Sequence, residues 1–292
     1  MPITVPPRLR AYYAKHSPEH LPWLTDLPTL ATTALDRWNL HPDGPPRHGM
    51  VAIVIPVHRP DGTPAALKLQ PRDHENDGEA PALRHWHGDG TVHLLDHDEP
   101  TGTLLLERLN PDRPLSTLPT DQALPVIAQL LERLHRTTAP PGIRPLTTIT
   151  TAMLTERPLL HRLTHAHDRA LALTCADATA DIATEPPGDR LLHWDLHYGN
   201  ALAADREPWL AIDPKPLTGH PGFDLMPALA NQWTDNTPHR FDQLTEHLDR
   251  AAATAWTLAR VLQNTLWDLH DGATTLDPVQ AAIATALLTR LP

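Results

Sequence analysis

The feature that most constrains this chain is the run His193-Trp194-Asp195-Leu196-His197-Tyr198-Gly199-Asn200, followed closely by Ile212-Asp213-Pro214. Short β-prone segments flank it: Arg190 to Trp194 leads in, and Ala201 to Ala203 and Trp209 to Ile212 follow. Two carboxylates and a carboxamide are thereby delivered to the ends of strands within one short stretch. That set suits phosphoryl transfer from ATP. Asp195 has the position to orient an attacking hydroxyl and accept its proton. Asp213 and Asn200 offer the oxygen donors that a hard cation such as Mg2+ prefers.

The rest of the chain divides by pattern. Met50 to Val57 and Ala65 to Gln70 read as strands joined through the Asp61-Gly62 turn. Glu79 to Trp86 reads as a short helix with Pro81 in its first turn, and Val92 to Leu95 and Thr103 to Leu106 as two further strands. Beyond Leu109 the apolar spacing turns helical, with Leu124, Ile127, Leu131 and Leu134 on one face and Thr120 as the expected cap. Met153 to Ala183, Phe241 to Leu269 and Pro278 to Leu291 are also helical in character. The expectation is an α+β, bilobal chain, with an antiparallel-sheet lobe over 1–108 and a larger, mainly helical lobe over 109–292.

Composition removes several classes. A formal net charge of -11 argues against nucleic acid as a partner, because binding a phosphate backbone requires a concentrated basic face. Cys175 is the only cysteine, which excludes an intrachain disulfide and favours a reducing, cytoplasmic setting. The longest apolar run, Met50 to Ile55, is too short to span a bilayer, so no membrane partner is expected. Of 24 basic residues only Lys15, Lys68 and Lys215 are lysines. Lys68 lies inside an apolar strand pattern, where a compact ammonium rather than a planar guanidinium is the apparent requirement.

The stretch from His193 to Asn200 matches the kinase catalytic loop H-R-D-x-x-x-x-N with Trp194 in the arginine's place. It resembles the aminoglycoside phosphotransferases of the protein-kinase-like fold, most closely the streptomycin and hydroxyurea phosphotransferases. The similarity extends through Ala65 to Gln70, Leu104 to Leu109, Glu207 to Pro214, Pro221 to Leu225 and Leu262 to Asp268. The resemblance implies an ATP- and Mg2+-dependent, monomeric enzyme that phosphorylates a hydroxyl of a small, cationic molecule and so confers antibiotic resistance. It implies that Asp195 is the catalytic base and that Asn200 and Asp213 hold the metal. Lys68 would contact the α- and β-phosphates, and the backbone from Glu107 to Leu109 would bind adenine. Glu79 is favoured over Glu75 as the partner of Lys68, and Asp224 would brace the catalytic loop.

Three positions depart from the family pattern. The loop expected over the phosphates, Asp43 to Val51, carries only Gly44 and Gly49. Gly199 and Lys215 stand where streptomycin-phosphorylating members of the family carry acids, which weakens the case for a guanidinium-bearing acceptor; an aminoglycoside such as streptomycin is the expected acceptor, with hydroxyurea or an amino sugar as the alternative. Two other classes are open to the same residues. His193, Asp195 and His197, completed by His239 or His270, would make the ligand set of a non-haem iron oxygenase. A nucleotide-binding pseudokinase would keep the fold without the transfer. Trp233, Trp256 and Trp267 are candidates for an aromatic wall beside the acceptor, whereas His135 reads simply as a helix-end residue.

Overall fold

The computed structural model describes residues 5–291, so the outer domain limits at Met1 and Pro292 lie outside it. Two helices precede the first sheet, α1 (Pro7–His16) and α2 (Leu21–Arg37). Neither is among the expected elements. The signal for α2 is the spacing of Leu24, Leu27, Ala31 and Ala34, all buried on one face. Pro28 inside the helix masks it by removing a backbone donor.

The first sheet follows, with β1 (His41–Pro42), β2 (Arg47–His48), β3 (Ile53–His58), β4 (Pro64–Leu69), helix α3 (Glu79–Trp86), β5 (Leu94–Asp98) and β6 (Thr103–Glu107). Its antiparallel order is β1-β3-β4-β6-β5, with β2 on β3. The alternation of a strand sorts the side chains by face. Ile53, Ile55, Val57, Ala65, Leu67 and Leu69 bury against α1 and α2 as a separate core. Val54, Pro56, Ala66 and Lys68 face a cleft. The strand expected at Val92 to Leu95 instead begins at Leu94, because the Val92 N–H donates across to the Ala211 carbonyl at 2.9 Å.

Past β6 the chain forms β7 (Asn110–Pro114), α4 (Thr120–His135), α5 (Leu146–Thr155), α6 (Ala166–Ile182) and β8 (Arg190–Leu192). Next come β9 (Ala201–Ala203), β10 (Trp209–Ala211), β11 (Leu217–Gly219), α7 (Met226–Ala230), α8 (Thr237–Leu244), α9 (Arg250–His270) and α10 (Pro278–Leu288). β7 pairs with β9 and β10 with β9, while β11 pairs with β8. Thr120 is the first residue of α4 rather than its cap, a place taken by Pro119, and its hydroxyl reaches Gln232 instead. The helical region from Met153 to Ala183 is broken by a 3₁₀ turn at Arg157–Arg162, where Pro158 ends the regular pattern. That from Phe241 to Leu269 is split before Asp249, whose carboxylate accepts from the Ala252 N–H at 2.7 Å and starts α9.

α9 is buried on nearly every side and forms the axis of the larger core, with α6 and the Pro221–Asp224 turn packed on it. Gly222 makes that approach possible, since a Cβ there would lie 2.6 Å from Ala253 Cα. Gly222→Ala is expected to cost about 1–3 kcal/mol, read as a lower urea midpoint with an unchanged slope. Cys175 sits on α6 in this core, and burial pushes its thiol up to about 12. No helix among the described residues is long and apolar enough to cross a membrane. The strands and helices therefore form an α+β bilobal chain, small sheet lobe first.

Candidate active site

A cleft of about 1100 Å³ runs between the first sheet and the β9–β10 hairpin. β4 directs Lys68 into it, and α3 presents Glu79 from its first position. The Lys68 ammonium lies 2.7 Å from each Glu79 oxygen and 2.6 Å from Asp213 Oδ1. Gln70 Nε2 donates to Glu79 Oε2 at 2.6 Å and fixes that carboxylate. Glu79, not Glu75, is thus the partner of Lys68. Lys68 is only 4% exposed, and burial alone would lower its pKa; Asp213 and Glu79 outweigh that and hold it up at about 12.

The loop bearing Asp195 and the strand end bearing Asp213 are locked from below. Asp224 is fully buried and accepts from the His193 N–H at 2.8 Å, from the Trp194 N–H, and from His135 Nε2 at 3.0 Å. Those bonds hold Trp194 at φ +66°, a left-handed conformation that costs a bulky residue on the order of 1–3 kcal/mol. The bend turns Asp195 into the cleft. His193 Nε2 donates to the Ile212 carbonyl at 3.0 Å and so ties this loop to the residue before Asp213. Burial pushes His193 down to about 4, so it is neutral at physiological pH.

Asp213 also adopts a left-handed φ, +59°. Burial pushes its carboxyl up, but the charges of Lys68 and Lys215 prevail and hold it well below the usual carboxylate range. Asp195 shifts the other way. Its burial raises the pKa, a trend that Asp213 reinforces and His197, Arg260 and Lys215 oppose. Asn200 Nδ2 donates to the Asp195 carbonyl at 2.9 Å, which leaves its amide oxygen available to a cation. Lys215, two residues past Asp213, donates to Asn76 Oδ1 at 2.5 Å.

At the far end of the cleft, Val54, Ala66, Leu106, Leu202 and Ile212 form an apolar slot beside Glu107 to Leu109. The Glu107 N–H is taken by the His93 carbonyl at 2.9 Å, and its carboxylate by Arg206 at 3.0 Å. The Leu109 N–H has no acceptor among the described residues. The loop from Asp43 to Val51 lines the same cleft, and Tyr13 OH anchors it by donating to the Val51 carbonyl at 2.6 Å.

Several expectations change. His135 is no plain helix end but the buried partner of Asp224, a role that a lone Leu-His pair does not announce. The iron reading fails on its own ligands. The ring nitrogens of His193 face the Ile212 carbonyl and the Asp195 N–H, and His270 bonds Glu156. Among the described residues no group of three or more His, Cys, Asp and Glu side chains could hold a metal. The three tryptophans do not form one wall: Trp256 is 2% exposed and packs on Phe223, whereas Trp267 is 43% exposed and lies against Trp194. Arg144, Arg260 and Gln263, none of them expected, hold the Trp194 ring. The guanidiniums lie 4.8 and 5.0 Å from its centroid, and Gln263 accepts from its Nε1–H at 3.3 Å.

Comparison with known proteins points the same way. The family profile described as aminoglycoside/hydroxyurea antibiotic resistance kinase matches residues 37–272. Streptomycin 6-kinase from Streptomyces griseus is 50% identical over 299 residues, covering 98% of this chain and 97% of that one. Hydroxyurea phosphotransferase from Kitasatospora aureofaciens is 52% identical over 271 residues, covering 90% and 79% respectively. Among solved structures, a choline/ethanolamine kinase family protein from Mesorhizobium loti superposes with a TM-score of 0.60 at 17% identity, covering 88% of this chain and 94% of that one.

Proposed function

Because this chain belongs to the aminoglycoside/hydroxyurea antibiotic resistance kinases, we propose that it moves the γ-phosphate of ATP to a hydroxyl of an aminoglycoside such as streptomycin and so inactivates the antibiotic. The observation that carries this reading is the convergence of the Lys68–Glu79–Asp213 triad with Asp195 and Asn200 in one cleft. Phosphoryl transfer asks little covalent chemistry of a protein and much positioning and charge neutralisation.

In this assignment Lys68, held by Glu79, contacts the α- and β-phosphates. The loop Asp43 to Val51 covers them. Adenine occupies the apolar slot and meets the backbone from Glu107 to Leu109. Asp195 receives the acceptor hydroxyl's proton, and its raised pKa makes it a better base than an exposed carboxylate. Asn200 through its amide oxygen and Asp213 through Oδ2 suit a hard cation, and Mg2+ bound there would neutralise charge on the phosphates. The lobes part at residues 108 and 109, the chain acts as a monomer, and it works in the cytoplasm.

Asp213→Ala is expected to weaken magnesium-dependent ATP binding by more than the roughly 10- to 100-fold that loss of an outer-shell partner costs. Calorimetry with and without Mg2+ checks it; an unchanged magnesium dependence overturns the metal assignment. Gly199 and Lys215 favour a second acceptor reading, hydroxyurea or an amino sugar. A phosphorylation screen over streptomycin, other aminoglycosides, hydroxyurea and simple amino sugars separates the two. Transfer to none of them, with ATP still bound, would leave the pseudokinase.

A further inference from the structure

Glu79 satisfies Lys68, which leaves Glu75 without the duty that its place in the sequence suggested. The Asp73–Asn76 turn sets it in the cleft wall. Asp73 Oδ1 accepts from the Glu75 and Asn76 N–H groups, both at 2.8 Å, and Asp73 Oδ2 accepts from Asn76 Nδ2 at 2.8 Å. Asn76 in turn is gripped by Lys215 from the far side of the cleft. Asp73 is consumed in holding the turn, whereas the Glu75 carboxylate makes no ion pair within 4 Å among the described residues. The guanidiniums of Arg144 and Arg260, stacked on Trp194, feel the Glu75 charge without pairing with it.

Glu75 lines the same cleft as Asp195 and Lys215, and Tyr12 of α1 lines it too. Tyr12 stacks on His16 at 4.9 Å, and His16 reaches Asp271 at the end of α9 at 3.8 Å. Trp267, exposed, lies one turn before Asp271. This part of the cleft is thus lined by a phenol, a carboxylate without an ion pair and the Lys215 ammonium.

We propose that Glu75, flanked by Tyr12, is the subsite that binds a guanidinium or ammonium group of the acceptor within the cleft that Asp195 also lines. The proposal rests on the kinase reading above. It reconciles a cationic acceptor with Gly199 and Lys215: the acid that recognises the cation comes from the sheet lobe.

The test is steady-state kinetics of Glu75→Gln and Glu75→Asp with streptomycin, which carries guanidinium groups, and with hydroxyurea, which is uncharged at neutral pH. Glu75→Gln is expected to raise the streptomycin KM roughly 10- to 100-fold, as loss of one charge-assisted hydrogen-bond pair does. The ATP KM stays put, the KM ratio of streptomycin to hydroxyurea rises, and Glu75→Asp recovers part of the loss. An unchanged streptomycin KM overturns the proposal, and so does a parallel rise for ATP and both acceptors. If wild type phosphorylates hydroxyurea but not streptomycin, the acceptor reading fails, and equilibrium binding of streptomycin then decides the subsite: weaker binding by Glu75→Gln upholds it, no binding by wild type overturns it.

Discussion

Asp195→Ala is expected to lower phosphate transfer by roughly 10²- to 10⁴-fold, the usual contribution of a positioned general base, while ATP binds as before. Its effect on stability should be small or favourable, and the sign follows from the pKa. Burial raises the Asp195 carboxyl in the folded protein, so the ionised form weighs against folding once the pH passes the unfolded value. Deleting that carboxylate removes the penalty. Single-turnover transfer, ATP titration and a thermal melt check the three parts. A variant that turns over at the wild-type rate excludes Asp195 as the base, and a sharply lower melting temperature reassigns it to structure.

Asp224→Ala should do the opposite to stability and as much to activity. The carboxylate accepts three bonds at zero exposure, so its removal strands two backbone N–H groups and a buried imidazole. Breaking a buried pair in this way costs about 3–5 kcal/mol. Burial alone would raise the Asp224 carboxyl, yet the bond from His135 and the charges around it hold it below its ordinary value. Stability from this group is therefore present at neutral pH and is lost as the pH falls through the lowered pKa. Without the brace, Trp194 has no reason to stay at φ +66°, and Asp195 loses its direction. Denaturant unfolding and transfer assays should show both losses; full activity with wild-type stability would show that the loop keeps its bend unaided.

The contrast between these two aspartates explains what the sequence could and could not disclose. The meeting of Asp195, Asn200 and Asp213 in one cleft was legible because the spacing puts them within one loop and the next strand end. The sheet was legible because alternating apolar residues have few other uses. Glu79 was open to doubt, since Glu75 lies one helical turn before it; only the helix start at Glu79 decides which carboxylate meets β4. His135, Arg144, Arg260 and Gln263 were illegible for a different reason. The groups they hold, Asp224 and Trp194, are 50 to 89 residues away, and nothing local distinguishes a buried histidine that bonds Asp224 from a solvated one. α2 was hidden by its own prolines, although its buried stripe is regular.

The near-absence of lysine has a practical side. Lys15 is exposed on α1, and both other lysines line the cleft. Reagents that acylate primary amines, which on most proteins give a diffuse pattern of surface labelling, have here only Lys15 and the half-buried Lys215 among the lysines to modify, since Lys68 is buried and held as an ammonium by Glu79 and Asp213. The chain is in effect its own footprinting probe: a reporter of cleft occupancy is already built in at Lys215, with Lys15 as the internal reference and no engineered tag needed.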